Sequence, residues 1–99
     1  NPHRGEDTLV IGGVPRLLRP TFTALALAEE ELGPLFALVE RAVAGQLRLG
    51  ELAALFWHCL ADRGGLSRED VGAAVVEQGL ARCTKPLRTL IAQILEGTG

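Results

Sequence analysis

The apolar positions of this chain change period once. From Thr8 to Arg19 they come in two runs, Leu9-Val10-Ile11 and Val14 with Leu17-Leu18, on either side of Gly12-Gly13. β-Prone runs around a Gly-Gly pair predict a hairpin, because the tight turn needs positive φ at both central positions. Pro15 has no amide to donate, so it is expected where the ladder needs none, at an edge. A two-stranded hairpin is marginal by itself and must lean on something else.

From Thr21 onward the period is helical. Thr21 is placed to cap a first helix with Phe22, Leu25, Ala28 and Leu32 inward, stopped by Gly33. Pro34 opens a second helix running to about Ala44, with Leu35, Leu38, Val39, Ala42 and Val43 inward and Gly45 after it. A third is predicted from about Gly50 to Asp62, where Leu52, Leu55, Phe56, Cys59 and Leu60 follow the i, i+3, i+4, i+7, i+8 pattern. Arg63-Gly64-Gly65 breaks the chain. Ser67 then caps a fourth helix, with Asp70 reaching back, Val71, Ala74 and Val75 inward, and Gly79 as its end. The last helix presents Cys83, Leu87, Leu90, Ile91, Ile94 and Leu95; Pro86 means that it either starts near Thr84 or is kinked in an earlier turn. The predicted fold is mostly α, with a small N-terminal β-hairpin packed on a compact bundle of about five short helices. It is read as one domain over 1–99, with the hairpin at 7–19, the helical bundle at 21–96 and a frayed polar start.

Composition supports a folded helical chain. Apolar residues make up 47% of the 99, Ala and Leu dominate them, and only four residues are aromatic. Ten basic residues stand against twelve acidic ones, for a net charge of −2. Phosphate neutralisation needs a basic excess, so no nucleic-acid partner is expected, and no basic recognition helix is present. Leu47 to Leu60 is the most apolar stretch, but Arg48, Glu51 and His58 interrupt it, and it falls short of the ~20 residues of a membrane span. No signal peptide is expected, since the start is polar. Cys59 and Cys83 fall on apolar helix faces and are expected as buried, reduced thiols, which suits a cytoplasmic location.

No reactive set emerges. His3 lies in the polar start, and His58 is expected exposed on the polar side of the third helix, without a ligand partner at i+3 or i+4. Gly12-Gly13 opens no helix and cannot form a phosphate loop. Cys83 has no neighbouring His, and the only serine, Ser67, is explained as a cap. The chain is therefore read as a non-enzyme without catalytic residues, metal or cofactor, acting through protein contacts.

Candidate contact residues follow from misplacement. Glu29-Glu30-Glu31 occupies the last turn of the first helix, where negative charge opposes the macrodipole. The run is either a solvated face helped by Arg16, Arg19 or Arg41, or an acidic ridge for a basic partner. Trp57 and Leu27 lie off the centres of their stripes; Trp57 is a core-edge residue or an interface anchor, and Leu27 matters only if clustered with another exposed apolar group.

Certain motifs add a resemblance. Arg4-Gly5-Glu6, then Leu18-Arg19-Pro20-Thr21-Phe22, Ala24-Leu25 and Glu30-Glu31-Leu32-Gly33, followed by Leu38, Arg41, Gly45, the Leu-rich third helix and Leu95-Glu96-Gly97, run through nearly the whole chain. In these the chain resembles the small tail assembly chaperones of gene transfer agents and related siphophage tail clusters, a family sometimes labelled tail tube proteins. The resemblance implies a cytoplasmic protein that binds unassembled tape-measure protein and recruits tail tube subunits to it. A structural tail component retained in the particle and a generic helical adaptor are the competing readings, and a homo-oligomer stays open. Arg19 and Phe22 are either client contacts or hairpin-to-helix packing.

Overall fold

The computed structural model describes residues 7–97. His3 and the Arg4-Gly5-Glu6 motif lie outside the described residues. The order is β1 (Asp7–Ile11), β2 (Val14–Leu18), α1 (Phe22–Leu32), α2 (Leu35–Val43), α3 (Leu49–Cys59), α4 (Arg68–Gln78) and α5 (Leu80–Glu96). This is the expected mostly helical architecture with an N-terminal hairpin.

The strands pair antiparallel, from Ile11 opposite Val14 to Asp7 opposite Leu18, which leaves Gly12 and Gly13 as a two-residue turn at φ 60° and 80°. Those are the positive angles that only Gly takes without penalty. The Leu17 carbonyl accepts from Ala61 N at 3.0 Å, so alternate residues of β2 point away from β1, and Pro15 is one of them. Its missing amide therefore costs no bond of the hairpin. Leu9, Ile11 and Leu18 are buried against the helices. On the other edge, Gln78 Nε2 donates to the Val10 carbonyl at 2.8 Å, and Thr89 Oγ1 donates to Asp7 Oδ2 at 3.3 Å. The hairpin thus leans on α4 and α5.

Helix α3 stops three residues before the expected Asp62. Leu60 turns extended and bridges Leu18, while Arg19 N donates to the Cys59 carbonyl at 2.7 Å. The apolar spacing matched because Leu60 is buried either way; the chain spends it on an isolated β-bridge to Leu18. Helix α5 opens at Leu80, directly after Gly79, and runs through Pro86, so a start near Thr84 is corrected. The caps expected at Thr21 and Ser67 form. Thr21 Oγ1 accepts from Ala24 N at 3.1 Å, and Ser67 and Asp70 make the reciprocal pair at 3.2 and 2.8 Å.

Phe56, Leu55, Cys59, Val71, Val75 and Leu90 centre the core, where α3 packs on α1 and α4, and α4 on α5. Cys59 and Cys83 are both buried free thiols, as expected. Other positions differ from the predicted stripes. Phe22 is 87% exposed; Ala24 takes the inward place beside the expected Ala28, and these small side chains let α1 pack on α3. Val43 and Leu95 also face out. His58, expected exposed, is buried. It lies one turn after Ala54 and Leu55, on a side that α1 and α4 close over and supply with polar partners.

Candidate functional site

The Glu29-Glu30-Glu31 run divides into three different roles. Glu29 Oε2 accepts from Leu35 N at 2.9 Å. Pro34 offers α2 no side-chain cap, so a carboxylate from the preceding helix serves its first amide, at the end where the dipole favours negative charge. The charge that looks misplaced on α1 is well placed on α2. Glu31 receives Arg68 Nη1 at 2.6 Å together with Arg68 Nη2, and His58 Nε2 at 2.9 Å. These donors hold its carboxyl down at about 2, the Arg68 hydrogen bonds acting most strongly and His58 next. With Glu31 an acceptor, His58 Nε2 carries the hydrogen, and Arg68 Nη2, 3.3 Å from the same nitrogen, stands beside it as a second donor to Glu31. The expected helpers give way to Arg68, and Arg41 instead grips Glu51 with both contacts at 2.7 Å. Glu30 stays exposed.

Trp57 is half-buried against the core, and Arg63 lies over its ring, 4.3 Å from the centroid. Arg63 Nε also donates to the Trp57 carbonyl at 3.3 Å. Leu27, 42% exposed, borders a shallow cleft with Thr23, Leu60 and Arg63. Phe22 stands out at the start of α1, and the exposed Arg19 precedes it beyond the buried Pro20. The predicted contact residues thus form no single patch. Glu29 and Glu31 are engaged within the fold, and the others are spread from the β2–α1 link along α1 to the end of α3.

A larger feature lies elsewhere. Between α2 and α5 runs an apolar groove with Ala42, Val43, Leu87, Ile91, Ala92 and Leu95 at one end. It continues past Ala42, Gly45, Thr84 and Leu87 to Leu47, Leu49, Leu52, Leu80 and Cys83. Val43, Leu49, Leu80 and Leu95 are each half or more exposed and lie along this one line. Clustering of this kind, unlike scattered exposed side chains, makes the groove the candidate contact surface. The signal was present in the sequence: the apolar stripe of α5, from Leu80 through Leu87 and Ile91 to Leu95, is wider than one contact needs. Placing Leu87, Ile91 and Leu95 all inward, and leaving Leu80 out of the helix, hid it.

Among the described residues, no helix is long and apolar enough to cross a membrane. Neither a curated protein nor a solved structure matches the chain. Residues 4–97 match the family described as phage tail tube protein, GTA-gp10, and with nearly its whole length covered the chain belongs to that phage-tail family.

Proposed function

We propose that the chain is a non-enzymatic tail assembly chaperone, which binds unassembled tape-measure and tail tube proteins while a phage-like particle is built. Membership of the tail family sets the context. The observation that carries the finer reading is the α2–α5 groove, a continuous apolar surface on a helical scaffold. Tape-measure chains expose apolar helical surface before assembly, and a groove between helices is a recurring way to cover such a surface. The partners, the cytoplasmic location and the one-domain organisation belong to this proposal.

A second reading, a tube or tube-associated component kept in the particle, is favoured by the family's description as a tail tube protein. Co-expression with tape-measure and tube proteins, pull-down at mild salt and copy counting in purified tails decide between them. Capture of the tape-measure protein with absence from finished tails supports the chaperone. A stoichiometric copy number in tails, or no capture, overturns it.

A further inference from the structure

The groove has a charge pattern that says more about its occupant. Helix α5 carries Arg82, Lys85 and Arg88, all exposed, and none of the three has an ion-pair partner among the described residues. Arg88 lines the groove wall, and Lys85 lies one turn before it, next to the lining residue Thr84. The acidic side chain on the lining is Glu96, at the C-terminal end of α5. On the α2 side, Glu40 is exposed three positions before Val43. The α5 side is therefore basic along its middle, while on the opposite wall Arg41 is paired with Glu51 and Arg48 is exposed between Leu47 and Leu49 at the far end, away from Val43 and Leu95.

The groove's length is also fixed. Its lining on α5 extends from Leu80 to Glu96, which at about 1.5 Å per residue is roughly 24 Å, or four and a half helical turns. The whole molecule measures 32 × 31 × 24 Å, so the groove crosses most of it. A single helix of three to four turns fits that length.

We infer that the α2–α5 groove binds one amphipathic helix of a tail partner, with its apolar stripe on Val43, Ile91 and Leu95 and a row of acidic residues turned towards Lys85 and Arg88. The inference rests on the client-binding reading and gives that client a chemistry. The apolar contacts supply affinity and the basic side sets the rotation and direction of the helix.

Two synthetic helical peptides of about 15 residues test it, sharing one apolar i, i+3, i+4, i+7 stripe and differing only in Glu or Lys along one flank. Binding to the full chain is measured by fluorescence anisotropy and mapped by amide chemical shifts. The Glu peptide should bind about tenfold or more tighter than the Lys peptide, with shifts confined to α2, α5 and the groove-lining segment 45–52, and with affinity falling as salt rises. K85E/R88E should invert the preference, and L95D should weaken both peptides while leaving the fold intact by circular dichroism. Equal binding of the two peptides, no binding of either, or shifts on α1 and α4 would overturn the inference. So would self-association of the unliganded chain that L95D abolishes, which would assign the groove to a second copy. Capture of tape-measure protein unaffected by K85E/R88E sinks the acidic helix alone. Peptide binding without capture sinks the chaperone reading alone.

Discussion

The Arg68 guanidinium, at the start of α4, meets the Glu31 carboxylate at the end of α1, 37 positions away in the chain, with Nη1 at 2.6 Å from one oxygen and Nη2 on the other. His58 from α3 contacts the same carboxylate, so one acidic side chain ties three helices together. The arrangement is partly exposed, and screening limits its worth. E31Q or R68A should cost on the order of 1 kcal/mol at pH 7 by urea denaturation, nearer the upper end for surface pairs because the contact is bidentate.

Acid should remove that contribution in a defined window. The folded-state value for Glu31 lies below its ordinary 4.5, at about 2. As pH falls, protons therefore bind the unfolded chain first. The stabilisation is complete above about pH 4.5 and fades between there and about pH 2. Glu51, lowered by the Arg48 backbone amide and then by Arg41, adds to the same limb. Urea midpoints of E31Q and the parent chain should differ at pH 7 and converge near pH 2. A constant difference across this range would remove the assignment.

The thiols should be silent in the folded chain. Burial pushes Cys59 up to about 12 and raises Cys83 as well. Only thiolate reacts at useful rates, so Ellman's reagent at pH 8 should label neither at the native rate of an exposed thiol. Labelling should appear with global unfolding in urea, which its dependence on denaturant can show.

Removing Arg63 should uncover Trp57. The guanidinium lies over the indole and also caps the carbonyl of the same residue. R63A should shift the emission of this single Trp to the red with a loss of only about 0.5–1 kcal/mol. No spectral change would mean that the contact does not persist in solution.

The hairpin turn and the helix caps were legible because each rests on local chemistry: Gly12-Gly13 on positive φ, Thr21 on one amide, Ser67 and Asp70 on each other. What was hidden depends on partners distant in sequence. Periodicity could not show that Leu60 leaves the helix, because burial of its side chain satisfies both a helix and a bridge to Leu18. Nor could it show that His58 is enclosed, since Glu31 and Arg68 arrive from other helices. The groove was missed for a related reason. An apolar position predicts burial, and Val43 and Leu95 are apolar yet are left exposed by their neighbours among the described residues.

Charge reversal along Glu29 and Glu30 separates a structural role from a contact role. E29K removes the carboxylate that accepts from Leu35 N and puts a cation at the start of α2, so it should cost about 0.5–2 kcal/mol, the usual loss of a cap. E30K changes an exposed group and should leave stability within about 0.5 kcal/mol. If the client occupies the α2–α5 groove, neither change should reduce capture of the tape-measure protein at a temperature where both variants are folded. Thermal melts and pull-downs on the same preparations check both quantities. Weakened capture by E30K at unchanged stability would instead move the client face to α1, where Leu27 is exposed one turn before it.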